Sequence, residues 1–123
     1  MNDQPSNSER RQHQRLENNV PVRLSLDDDD TVTETVNISR SGAYCRVNRY
    51  IEPMTKVKVN ILLPLRKNGK NLTKKVHCAG VVVRIEETAK DEVYNIAVFF
   101  NEISARDAES ISDYISSHLE QEA

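Results

Sequence analysis

Apolar and polar residues alternate through short runs, one after another, for most of this chain. Val20, Val22, Leu24 and Leu26 are separated by Pro21, Arg23 and Ser25. A period of two places one set of side chains on a buried face and the other on a wet one, the signature of a half-buried β-strand. Val32, Val36 and Ile38 against Thr31, Thr33, Thr35 and Asn37 predict a second strand. Ala43, Cys45 and Val47 around Tyr44 and Arg46 predict a third. Val57, Val59, Ile61 and Leu63 make a fourth, which Pro64 is expected to stop. A fifth runs from Leu72 to Ile85, where Gly80 marks an expected bulge or bend, and a sixth runs from Val93 to Phe100.

The intervening segments carry turn chemistry. The acids Asp27 to Asp30 cannot enter a core and are read as a solvated turn. Ser39 to Gly42 is a turn by composition, and Asn68-Gly69 is a hairpin signal. The period then changes. Ala108, Ile111, Tyr114, Ile115, His118 and Leu119 line one face of a helix, with Ser104 as N-cap and Asp107 in its first turn. The chain is therefore expected to be mostly β: a six-stranded antiparallel barrel with a C-terminal α-helix packed on it. Closure removes exposed strand edges. With 123 residues there is enough chain for one such domain.

No apolar run approaches the roughly 20 residues of a membrane span, so membrane insertion is not expected. Met1 to Arg15 holds no apolar stretch of the secretory kind, which points to a cytoplasmic protein. Cys45 and Cys78, with no CxxC spacing, then read as thiols rather than a disulfide. Residues 1–8 are read as a disordered tail and residues 9–19 as an arm without stable structure of its own.

Net charge is −2, which argues against binding a long polyanion. Positive charge is instead local: Arg10, Arg11, Arg15 and Arg23 cluster against only Glu9 and Glu17. An arginine fork can hold the N7 and O6 acceptors of guanine, or phosphate oxygens, with two parallel hydrogen bonds. Arg11 and Arg15 would lie about 13 Å apart on an extended arm at ~3.3 Å per residue, a span suited to two bases or two phosphates. About twenty residues on, Asn37, Ser39 and Gly42 form a second polar group at a strand end. Asn37 and Ser39 are two apart, so an extended strand points both to one face, where amide and hydroxyl can meet a base edge or phosphate. Gly42 allows a ligand or the arm close to the backbone.

Other residues read more plainly. His77 beside Cys78 lacks a second pair at zinc spacing, so no metal site is expected. Tyr44, Tyr50, Tyr94 and Tyr114 make no platform for stacking a single strand. No nucleophile–base arrangement is present, so no catalytic residues are assigned and an enzyme is not expected.

The order and spacing of Arg11-xxx-Arg15, then Asn37-x-Ser39-xx-Gly42, then a small barrel and helix, resemble the PilZ domain family. The likeness runs over residues 9–120: arm 9–19, barrel 20–103, helix 104–120. It implies a bacterial receptor for cyclic di-GMP, with Arg11 and Arg15 on guanine and phosphate and Asn37, Ser39 and Gly42 lining the site. Asn37 stands where the family often has an acid, and Met54 and Ala97 where it often has glycines. Arg10, just before the motif, resembles members that take an intercalated ligand pair. The function implied is a non-catalytic receptor that switches when ligand orders its arginine arm and that passes the signal to an unidentified effector protein. Two rivals stand beside it: a PilZ-like protein–protein adaptor that binds no ligand, and a small nucleic-acid-binding barrel.

Overall fold

Alternation becomes strand in six places: β1 (Pro21–Leu26), β2 (Asp29–Ser39), β3 (Gly42–Val47), β4 (Lys56–Lys67), β5 (Lys70–Glu87) and β6 (Tyr94–Glu102). One helix follows, α1 (Ala105–Glu122). This computed structural model describes residues 15–27 and 29–122. Every pairing is antiparallel, and the strands run β1-β2-β3-β6-β5-β4 around a closed barrel, with β1 returning to β4.

The inward residues of each alternating run meet in one core. Val22 and Leu24, Ile38, Cys45, Val59 and Ile61, Val76 and Val82, Ile96 and Val98 are all buried there. The helix closes this core with Ala108, Ile111, Tyr114 and Ile115, and it packs against β5, β4 and β2. Ser104 caps it: the Asp107 N–H donates to Ser104 Oγ at 3.0 Å, satisfying one of the orphan donors of the first turn.

The β4–β5 hairpin turns on two residues, Asn68 (φ 54°) and Gly69 (φ 77°). Both lie in the left-handed region that a tight two-residue hairpin loop requires. A register shift against β6 does fall at Gly80, but two steps on β5, Ala79 to Val81, face three on β6, Phe99 to Glu102, so the extra residue lies on β6 and not at the glycine.

Three expectations are corrected. Pro64 does not stop β4; the strand continues to Lys67, with Pro64 opposite Thr73. The last β4 residue paired to β1 is Ile61, so beyond it β4 is an edge, where a missing N–H costs little. The acidic turn is shorter than its charge suggested, since Asp29 and Asp30 already pair with Leu26 and Ser25. Ser39 and Gly42 are likewise paired strand ends, leaving only Arg40 and Ser41 in the turn.

Candidate functional site

The arm reaches the barrel through Leu16. Its N–H donates to the Ile38 carbonyl at 2.9 Å, the Ile38 N–H donates back at 3.0 Å, and its side chain is buried in the core. Beyond it, the buried Thr35 hydroxyl acts as a clasp. Thr35 Oγ1 donates to the Asn18 carbonyl at 2.7 Å and accepts from the Val20 N–H at 3.0 Å. Asn19 Nδ2 donates to the Thr35 carbonyl at 2.7 Å, and Asn18 Nδ2 donates to the Tyr114 hydroxyl at 2.6 Å. Residues 15–19 are thus fixed by barrel and helix, more tightly than an arm without structure of its own would be. Arg10 and Arg11 lie outside the described residues.

With Leu16 turned inward, Arg15 faces out. Its Nη1 donates to Asn37 Oδ1 at 2.7 Å. A bulge in β2 sets this up: Thr35 pairs with Cys45, but Asn37 pairs with Tyr44, so Val36 is an extra residue. Thr35 therefore points into the core while Asn37, two residues on, points out.

Asn37 begins a row that crosses four strands. It pairs with Tyr44 on β3, Tyr44 with Ala97 on β6, and Ala97 with Arg84 on β5. The Arg15 guanidinium carbon lies 5.6 Å from the centre of the Tyr44 ring, and that of Arg84 lies 5.4 Å from it. Arg84 Nη2 also donates to the Tyr44 hydroxyl, and its Nε sits 3.4 Å from Glu86 Oε2. Ala97 has no side chain beyond Cβ, so Tyr44 and Arg84 meet across it. Two guanidinium groups over one phenol make a flat, cationic surface with donors left for an anion or a base edge.

Tyr44 and Arg84 were missed by sequence reasoning. Alternation does put Tyr44 on the wet face of the third strand, and that was the available signal. Arg84 gave none, because a second β5–β6 register shift, between Val82 and Arg84, decides which way it points.

Ser39 and Gly42 are placed differently from Asn37. Ser39 is fully buried, and its hydroxyl serves the turn: it accepts from the Ser41 N–H at 3.2 Å and donates to the Gly42 carbonyl at 3.3 Å. Gly42 faces β6, where an added Cβ would lie under 3.0 Å from the Val98 carbonyl oxygen. The close approach that glycine permits here is that of a neighbouring strand.

The remaining reactive groups are quiet. Burial pushes the Cys45 thiol up to about 12, and burial with the Asp107 carboxylate does the same to Cys78, so neither is a nucleophile near neutral pH. His77 binds Asn60 through its ring, and its backbone N–H donates to Asp107 Oδ2 at 3.3 Å. Among the described residues no three His, Cys, Asp or Glu side chains are grouped to hold a metal ion, and no helix is long and apolar enough to cross a membrane.

The structure resembles that of the Bacillus subtilis inhibitor of motility MotI/DgrA, with a TM-score of 0.78 and 20% identity over 89% of this chain. This chain spans about half of that protein, 51%. It also resembles the PilZ domain of YcgR from Escherichia coli, solved with c-di-GMP, with a TM-score of 0.64 and 16% identity over 92% of this chain and 93% of that one. At these identities the likeness is one of fold. No curated protein matches the sequence closely. The PilZ domain family, however, matches residues 9–117, and the chain belongs to it.

Proposed function

We propose that this chain is a non-catalytic receptor for cyclic di-GMP, which binds on the outer face of β2, β3, β6 and β5. One observation carries the reading: Arg15 of the first motif and Asn37 of the second meet at 2.7 Å on that face. The two motifs are 22 residues apart in sequence, and the fold alone brings them together. The family match and the likeness to a PilZ domain solved with this ligand support the choice of dinucleotide.

Binding takes the Arg15–Asn37 hydrogen bond as its starting point. That bond is solvent-exposed and contributes little, on the order of 1 kcal/mol, so a ligand that offers guanine N7 and O6 to the same guanidinium replaces it readily. Asn37 is then free to donate and accept at a base edge. Arg84 and Tyr44 extend the surface for a ring or a phosphate. Arg10 and Arg11 complete the clamp from the N-terminal side, and ordering of the arginine arm by ligand is the switch. Such ordering costs roughly 2–5 kcal/mol of the gross interaction, which charge-assisted forks must exceed. Ser39 and Gly42 act from beneath by holding the turn that presents Asn37. The closed arm and ligand together form the surface that an effector protein reads.

Isothermal titration with cyclic di-GMP, and with GTP as control, tests this. We expect saturable binding of the dinucleotide alone, lost in Arg15→Ala and in Arg11→Ala while both variants stay folded, with melting temperatures within a few degrees of wild type. Folded protein that gives no heat with cyclic di-GMP overturns the reading and leaves a ligand-free adaptor. The fitted stoichiometry also reports on Arg10: two ligands per protomer is the outcome expected if it supports an intercalated pair.

A further inference from the structure

From Pro53 to Ile85 the chain carries eight lysines and arginines and no aspartate or glutamate. The remaining residues hold the other nine cations and all nineteen acids. This segment is β4 with β5 up to Ile85; Arg84, near its end, lies in the Asn37 row, and Glu86 and Glu87 follow on β5. Its outward face joins that of β1. Val32, Arg23, Asn60 and His77 form one row across β2, β1, β4 and β5, and Leu62 pairs with Lys75 in the next. Between these rows lies a groove of about 370 Å3, with Pro21 and Ile61 among its walls. Val32 is 73% exposed and Leu62 41% exposed at its rim. Arg23 and Lys75 are also exposed there.

We propose that this groove docks a protein partner through a short acidic segment carrying an apolar side chain. The apolar residue sits between Val32 and Leu62, and carboxylates on either side meet Arg23 and Lys75. Charge complementarity commits the site to an acidic occupant. The apolar lining selects a peptide over a nucleic acid, whose backbone would bring only phosphates to Val32 and Leu62. The concave shape favours an inserted side chain over a flat lipid surface. Strand addition is disfavoured: Pro64 interrupts the free edge of β4, and Asp107 accepts the His77 backbone N–H on β5. Glu34, exposed opposite Pro21, marks the acidic rim, so the partner's carboxylates run toward β4 and β5 rather than β2. The groove is centred on β1 and β4 and the ligand row on β3 and β6; both reach β2 and β5, but at different residues.

Random twelve-residue peptides displayed on phage and selected on the full chain provide the test. The expected consensus has several Asp or Glu around one Leu, Ile, Val or Phe. A synthetic consensus peptide should bind with an affinity that falls about tenfold or more in Arg23→Glu/Lys75→Glu. A similar direction, at about fivefold, is expected for Val32→Ser/Leu62→Ser, which leaves the charges in place. All four side chains are at the surface, so melting temperatures should stay at the wild-type value and cyclic di-GMP titrations should be unchanged. A consensus without acids, or affinity indifferent to both variants, overturns the proposal. So does displacement of the peptide by a twenty-base-pair duplex or by phosphatidylglycerol vesicles that themselves lose binding in the double variants, or a shift of the wild-type chain alone to dimer in sedimentation.

Discussion

Asn18 donates to the hydroxyl of Tyr114 across 96 residues of sequence, at 2.6 Å. Tyr114 is fully buried, and burial raises the pKa of its phenol while the bond from Asn18 acts in the opposite sense. Asn18 is also held through its carbonyl by Thr35. The residue three positions after Arg15 is therefore locked both to the barrel and to the helix. Asn18 thus ties the segment after Arg15 to α1, although no described helical side chain lies in the row.

Tyr114→Phe isolates this link. It keeps the ring in the core and leaves the Asn18 amide without its acceptor, which should lower stability by about 1 kcal/mol in urea unfolding. If the lock matters to the site, affinity for cyclic di-GMP should also fall, by a few-fold, through a looser Arg15. Stability that drops while affinity stays at wild type would show that the helix and the row are uncoupled.

Gly42→Ala separates two roles of the motif glycine. The added methyl collides with the Val98 carbonyl, a backbone atom that cannot swing aside. Overpacking of that kind should cost about 1–3 kcal/mol. The loss should appear in the ligand-free protein as a lower unfolding midpoint. A variant as stable as wild type, impaired only in binding, would return the glycine to the ligand.

Arg84→Ala removes the cation that the sequence did not flag. Its ion pair with Glu86 is about half exposed on both sides, so stability should change by less than about 1 kcal/mol. Affinity for cyclic di-GMP should fall about tenfold, from loss of a guanidinium that can stack on a base or grip a phosphate. Tyr44→Phe keeps the ring under both guanidiniums and should cost less. Equal affinity in Arg84→Ala would confine the site to the two motifs.

These tests follow the line between what the sequence discloses and what it hides. Period-two alternation reported the six strands because each has one buried face, and the change to a helical period at Ala108 reported α1. Asn68-Gly69 was legible because few residues accept positive φ in succession. Pro64 misled because the stop rule assumes neighbours on both sides, and β4 has lost β1 by that point. The bulges at Val36 and Val83 were hidden for a related reason. Each is created by the partner strand's register, and a single strand's pattern does not contain it. That is why Asn37 could be named from its motif but Arg84 could not. Ser39 was expected on the same open face as Asn37, and it shares that face by parity, yet the Arg40–Ser41 turn folds back to enclose its hydroxyl.

The two thiols give the protein a defined alkaline limit. Each has its pKa raised from 9.0 to about 12 in the folded chain, so folding favours the protonated form. Below pH 9 both states hold the proton and the contribution is intact. Above it the unfolded chain releases protons that the folded chain retains, so the unfolded state binds fewer and stability falls as pH rises. The loss should grow from pH 9 toward pH 12, and Tyr114, raised for the same reason, adds to it above pH 10. Urea midpoints measured from pH 7 to 11 should be level at first and then decline. The Cys45→Ala/Cys78→Ala variant will start from a lower midpoint, because Cys45 leaves a small cavity. Its decline above pH 9 should be shallower than that of the wild type. Parallel slopes would mean that the thiols titrate alike in both states.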